Sequence, residues 1–292
     1  MKKLIVLLAV LMVLCGCSEK KPKDLANLKI GVMPSYDSTP ILWAKDQGIF
    51  EEMGLDVEIN VYSNGNDRDT QIQTGAVDAV VSDIMGLVSL IEANIEVQAL
   101  SKTDTVFSVV SAKNAMSNTD LSLGMAEISV TQYAVDQGLT EKNIDKKFID
   151  AIPQRLEMVA QQLIDGAILP EPMASMSKLK GLDSTPINIE SPNILMFTKK
   201  AVEDKEASIK VFYEAYNKGI DSLNKNQDEV KDVVIKYLNL NAEIKDVLVL
   251  PEFTKATSVK EETYNNVLSW MSKTLDIKSE VEYSKAVSDI VK

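Results

Sequence analysis

The chain has 292 residues, 45% of them hydrophobic, with 43 acidic against 31 basic side chains and a formal net charge of −12. That acidity argues against nucleic acid, and against anionic lipid surfaces, as partners. Histidine is absent and cysteine occurs only at Cys15 and Cys17, which removes Ser–His, Cys–His and Cys/His zinc chemistry and leaves carboxylate-based catalysis or ion binding open.

The first residues lie outside the expected fold. Lys2 and Lys3 precede an apolar run over 4–14, too short to span a bilayer and suited to a secretory leader. Leu14-Cys15-Gly16-Cys17 resembles the bacterial lipobox, in which the last cysteine is diacylated and the chain is cut before it. Residues 1–16 are therefore expected to be a signal peptide, Cys17 the lipid-carrying residue, and 17–27 a polar tether. Cleavage there would leave neither a free thiol nor a disulfide. The mature protein must then rest on its core, and the remaining length suffices for two domains.

Residues 28–63 carry the first fold signal. A short apolar run, 30–33, is followed by the turn-rich Pro34-Ser35-Tyr36-Asp37-Ser38. Ser38 or Thr39 can cap the next helix, with Pro40 in its first turn, where a missing N–H costs nothing. Ile41, Leu42, Ala44, Ile49 and Phe50 supply an apolar face, and Gly54 stops a second short helical piece. Residues 55–62 alternate apolar and polar as a second strand. Strand, helix, strand is a βαβ unit with parallel strands, and ligands in such units bind at the carboxyl edge of the sheet.

Residues 40–58, PILWAKDQGIFEEMGLDVE, resemble the substrate-binding proteins of ABC importers of the nitrate, sulfonate, taurine and thiamine-pyrimidine type. Their usual pattern is a helix ending A-K-x-x-G-x-F, then G-L-x-V-E. The resemblance implies a two-lobed α/β fold, periplasmic-binding-protein-like and of type II, with the ligand cleft between the lobes.

Further along, Ser63-Asn64-Gly65-Asn66-Asp67 is a turn able to cap a helix, and it follows a parallel strand. Residues 77–83 are nearly continuous in apolar side chains, as expected of a strand covered on both faces, and end in Ser82 and Asp83. A helix is expected over 85–93 and strands over 95–100 and 106–111. The polar cluster 114–120 suits a domain boundary. A smaller βα pattern then begins: a weak strand at 121–125, an exit loop with Glu127, Ser129 and Thr131, and another strand at 148–151. The resembled family usually has a Ser/Thr/Gly-rich loop here that holds an anion. Glu127 departs from that pattern.

Residues 155–172 resemble the family's R-L-E-x-L…L-P-E-P stretch, although its usual Asp is missing. Pro170 and Pro172 fix φ on both sides of Glu171 and stiffen the loop that presents it. Residues 193–198 form a strand returning to the first lobe. Ile209, Phe212, Tyr213, Tyr216, Ile220 and Leu223 share one helical face and belong to the core. Ser258, three residues before Glu261, looks like a capping box.

Lobe one is thus expected to take 28–112 and 193–292, lobe two 113–192, with crossings near Ala112 and Pro192. The expected ligand-binding residues are Tyr36, Asp37, Ser38, Asn64, Gly65, Asn66, Ser82, Asp83, Glu127, Ser129, Thr131 and Glu171. Tyr36 could stack on a flat ring, and the carboxylates suit N–H donors or a cation. Basic residues near these loops are few: Arg68, Lys102 and Arg155. No metal, cofactor or catalytic residue is expected. One enzyme of the resembled fold builds the thiamine pyrimidine from its own histidine with a cysteine-rich motif, and neither residue type is available here for that chemistry. The resemblance implies a monomeric, lipid-anchored extracytoplasmic protein that hands a small molecule to an ABC permease and its ATPase. The solute would be a nitrogen-bearing compound such as an aminopyrimidine. A sulfonate, taurine or nitrate binder and a ligand-sensing surface lipoprotein without a transporter remain the alternatives.

Overall fold

The computed structural model describes residues 25–288 and 290. The expected leader, Cys17 and most of the tether lie outside the described residues. In chain order the elements of the first half are β1 (Leu28–Val32), α1 (Thr39–Asp46), α2 (Ile49–Glu52), β2 (Val57–Val61), α3 (Gly65–Gln73), β3 (Ala79–Asp83), α4 (Ile84–Glu92), β4 (Val97–Lys102), β5 (Phe107–Ser111), β6 (Asp120–Met125) and α5 (Val130–Gly138). They continue with β7 (Asn143–Phe148), α6 (Ile152–Ala160), β8 (Gly166–Pro170), α7 (Met173–Leu179), β9 (Asp183–Pro186), β10 (Asn193–Thr198), α8 (Lys199–Asp204), α9 (Glu206–Leu223), α10 (Gln227–Tyr237), α11 (Glu261–Thr274) and α12 (Tyr283–Ala286).

The strands form two mixed sheets, ordered β2-β1-β3-β10-β4 and β7-β6-β8-β5-β9. β1 runs parallel to β2 and β3, with Leu28 opposite Val57 and Ile30 opposite Ala79. β6 runs parallel to β7 and β8. The loops leaving β1, β2 and β3 therefore gather at one edge of the first sheet, and those leaving β6, β7 and β8 at one edge of the second. β10 returns the chain to the first sheet, antiparallel to β3 and β4.

The first crossing comes one strand earlier than expected. β5 pairs antiparallel with β8 and β9, so the chain leaves the first sheet after Lys102 rather than at Ala112. β5 is buried on both faces, and a run without apolar–polar alternation carries no mark of which sheet will take it. β7 also departs from expectation. It occupies 143–148 rather than 148–151, because an edge strand can be polar and exposed along most of its length. α11 starts at Glu261 with Lys260, not Ser258, at its N-cap position.

The core of the first lobe lies between its sheet and α1, α2, α9 and α10. The expected apolar face of α9 is buried, with Phe212 stacked on Phe50 at 5.3 Å and edge-on to Phe197 at 6.3 Å. A second apolar cluster runs without a break from α4 and α11 into β6 and α5 of the other lobe. There Tyr133 meets Trp270 edge-on at 5.3 Å, and Trp270 Nε1 donates to Asp136 at 3.1 Å. Among the described residues no helix is long and apolar enough to cross a membrane.

Candidate solute-binding site

Where the two strand edges face each other, they enclose a cavity of ≈ 90 Å³. One water needs roughly 10–15 Å³ on the same measure, so there is room for a small solute. From the first lobe come the turn after β1, the first turn of α3 and the end of β3. From the second come Phe107, the β6–α5 loop, the start of α6 and Pro170. Met33, Val81, Phe107, Val130, Ile152 and Pro170 make much of the wall apolar.

Asp37 sits in a tight helical turn at the carboxyl end of β1 and is only 2% exposed. Its Oδ2 accepts from Asn193 Nδ2 at 2.7 Å, while Oδ1 has no protein partner. Burial pushes its carboxyl up to about 6, against the nearby Ser35 hydroxyl, the hydrogen bond from Asn193 and the charge of Arg68. Ser82, at the end of β3, also leaves its buried Oγ unpartnered. Across the cavity Arg155, on α6, gives Nη1 to the Ile168 carbonyl at 2.8 Å and leaves Nε without a partner. Burial lowers its pKa to about 10, with Asp150 opposing. Three residues that line the cavity thus each keep a buried polar atom unpaired: an acceptor, a hydroxyl and a cationic donor. Leaving such groups unsatisfied is costly, and a bound molecule would relieve that cost.

Arg68, on α3, is buried but compensated. Its Nε donates to Asp69 at 2.8 Å and its Nη1 to the Val81 carbonyl at 3.3 Å. Burial acts against its charge, yet Asp69, Asp83 and Asp37 together raise its pKa. Asp83 accepts from Gly86 N at 2.8 Å, capping α4, and from Val130 N at 3.3 Å. Burial raises its pKa although Arg68 and both amides favour the charged form. Ser129 caps α5 by accepting from Thr131 N at 3.2 Å.

Of the expected residues, Asp37, Gly65, Ser82, Asp83, Ser129 and Thr131 line the cavity. The others are elsewhere. The Tyr36 ring is in the first-lobe core, edge-on to Phe253 at 6.4 Å, and is not open to a flat ligand. Ser38 Oγ donates to the Met33 carbonyl. Asn64 caps α3 through Asp67 N. Asn66 Nδ2 reaches Asp150 at 2.7 Å, bridging the lobes at the rim. Glu127 is exposed. Glu171 is turned away by its own helix: its Oε2 accepts from Ser175 N at 3.0 Å in the first turn of α7. Its backbone carbonyl accepts from Tyr36 N at 2.8 Å.

Arg68, Arg155, Ser35 and Asn193 were not among the expected residues. A signal for the two arginines exists. Arg68 lies four residues from buried Ile72, and Arg155 shares a helical face with buried Ile152 and Val159, so each is a cation on an apolar stripe. Among the described residues no three His, Cys, Asp or Glu side chains are placed to hold a metal ion.

Two mixed sheets joined by two crossings, with a cavity between facing strand edges, define the two-lobed fold of periplasmic binding proteins. The chain belongs to the NMT1/THI5-like family, whose model matches residues 35–230. A relative from Brachyspira hyodysenteriae (strain ATCC 49526 / WA1), carrying the provisional name of an ABC transporter periplasmic binding protein, is 20% identical over 268 residues, covering 81% of this chain and 78% of its own. The fold is similar to the ligand-binding component of an ABC-type import system from Staphylococcus aureus solved with zinc bound (TM-score 0.76, 12% identity, covering 90% of this chain and 96% of that one). It is also similar to the aliphatic sulphonate binding protein SsuA of Escherichia coli (0.75, 12%, covering 90% and 92%). The nitrate-binding protein NrtA of Synechocystis PCC 6803 is a third neighbour (0.73, 10%, covering 91% and 87%).

Proposed function

We propose that this chain is the extracytoplasmic solute-binding component of an ABC importer and that its solute is a small nitrogen-bearing molecule, an aminopyrimidine of the thiamine-precursor kind being the model compound. The observation that carries the choice of solute is Asp37, which lines the interlobe cavity and whose buried Oδ1 has no partner in the protein. A carboxylate oxygen there demands an N–H or a cation, and Arg155 Nε opposite demands an acceptor. A ring nitrogen beside an amino group offers both within a few atoms. The apolar walls suit such a ring. The transport role is supported by family membership and by the relative's name.

Arg155 is also the observation that favours the other reading, a sulfonate or nitrate, which two structural neighbours are named for binding. Against it, amides around the α5 N-terminus that would hold an anion are engaged by the protein: Val130 N by Asp83, Thr131 N by Ser129 and Ile128 N by Gln132. A thermal-shift and calorimetric panel of aminopyrimidines, amines, taurine, methanesulfonate and nitrate separates the two. Saturation at one hundred times Kd stabilises the folded protein by about 2.7 kcal/mol. An aminopyrimidine or amine is expected to give that shift. Micromolar binding of a sulfonate, with silence from every nitrogen compound, overturns the choice.

A solute touching both lobes favours their closed arrangement by its differential affinity, which is how capture would be signalled to a permease. Permease and ATPase genes beside this one would distinguish an importer component from a sensing lipoprotein. The anchor is assigned to a diacyl group on Cys17, the protein being otherwise monomeric. Cys17→Ser is expected to release it from the membrane fraction. Retention through residues 4–14 would overturn the anchor.

A further inference from the structure

We propose that Asp83 is a built-in anion of the cleft: its carboxylate occupies the place where an anionic solute would meet the helix N-termini of the two lobes, and so excludes such solutes. The proposal rests on the reading of this cavity as the solute site.

Asp83 ends β3 in the first sheet, and α4 begins at the next residue. One oxygen accepts from Gly86 N in the first turn of α4 at 2.8 Å, and the other from Val130 N, the first residue of α5 in the opposite lobe, at 3.3 Å. A single carboxylate thus joins the N-termini of two nine-residue helices across the cleft. Each N-terminus gathers main-chain N–H groups without a partner inside the helix and the positive end of its dipole, the arrangement that binds small anions. The third positive partner is Arg68. A Cβ built on Gly86 would lie 3.6 Å from Arg68 Nη2, 3.5 Å from Asp83 Oδ1 and 2.9 Å from Ser82 Oγ, so guanidinium, carboxylate and hydroxyl crowd around one helix turn. Asp83 is 6% exposed, and water cannot screen it well.

The consequence is a specificity rule. A sulfonate or nitrate entering the cavity would sit beside a buried carboxylate that already holds the favourable donors. Like charges at close range in a poorly screened site repel strongly. A neutral or cationic solute meets no such barrier, and the carboxylate acts with Asp37 as the negative wall of the site. The same contact ties β3 to α5, so Asp83 also acts as a positioning residue for the closed arrangement.

Asp83→Ser keeps a cap oxygen for α4, since serine is a good N-cap, and empties the space toward Val130. Asp83→Asn keeps the volume and removes the charge, so a second variant is available if the first fails to fold. Wild type and both variants are titrated calorimetrically with methanesulfonate, nitrate and an aminopyrimidine, and hydrogen exchange of the Val130 amide is followed. The expected result is a gain of at least tenfold in methanesulfonate or nitrate affinity in a folded variant, with faster exchange at Val130. Variants that bind these anions no better than wild type overturn the proposal, as does tight anion binding by wild type. If a variant gains anion binding while wild type binds no nitrogen compound, the assignment of Asp83 stands and the choice of solute falls. If wild type binds the aminopyrimidine and the variants gain nothing, the assignment of Asp83 alone falls.

Discussion

Asp37→Asn is expected to make the unliganded protein more stable at pH 8 and to abolish its affinity for a solute that donates an N–H. Burial raises the Asp37 carboxyl from 3.8 to about 6. The neutral acid is therefore the form the fold prefers. Its contribution to stability is fully present below the unfolded value near 3.8 and is lost as pH rises through 6, because in that window the native state holds the proton more tightly than the unfolded chain does. A shift of that size corresponds to about 3 kcal/mol by pH 8. Asparagine removes the cost. The variant should gain on the order of 5–10 °C in Tm over wild type at pH 8, with little gain at pH 4. Asp83 and Glu171 are raised by burial too, so the pH dependence of wild type alone is a composite, and the difference between the two proteins isolates Asp37. Solute affinity moves the other way. It should fall in wild type below about pH 6, as the acceptor is protonated, and should be lost in the variant at every pH. A variant no more stable at pH 8 than wild type, or one that binds the same solute equally well, would refute the assignment of Asp37 as a strained acceptor waiting for a ligand.

Phe212→Ala is expected to cost 3–5 kcal/mol, the usual range for emptying a buried phenylalanine site. Phe212 is fully buried on α9 and contacts rings from four other positions: Phe50 at 5.3 Å, Phe197 at 6.3 Å, Tyr213 at 5.3 Å and Tyr216 at 6.4 Å. Those rings belong to α2, β10 and α9, so the site cannot collapse without moving the sheet against its helices. Denaturant unfolding measures the loss. Solute affinity at a temperature where the variant is folded should stay within a few fold, because the cavity lies at the other end of the strands. A loss under about 1 kcal/mol would mean that α9 is held by other contacts.

Local order in the sequence determined a good part of this. The βαβ unit of β1, α1 and β2 was legible because alternation, a proline in the first turn of α1 and Gly54 all act within a few residues. For the same reason Asp37, Ser82 and Asp83 could be placed at a cleft from position alone: each sits at or just past the carboxyl end of a parallel strand, and that edge is where the loops open. The apolar face of α9 followed from its period. What only the tertiary structure decided is membership and direction. β5 reads equally well in either sheet, because a strand buried on both faces has no alternation to orient it. Tyr36 and Glu171 are on the right loops, but Phe253 and the first turn of α7 draw their side chains away from the cavity. Arg68 and Arg155 read as incidental cations until α3 and α6 dock and turn their apolar stripes inward, carrying each guanidinium to the cavity wall. Spacing in a chain sets which face of an element a residue occupies. Which space that face lines is set by the element packed against it.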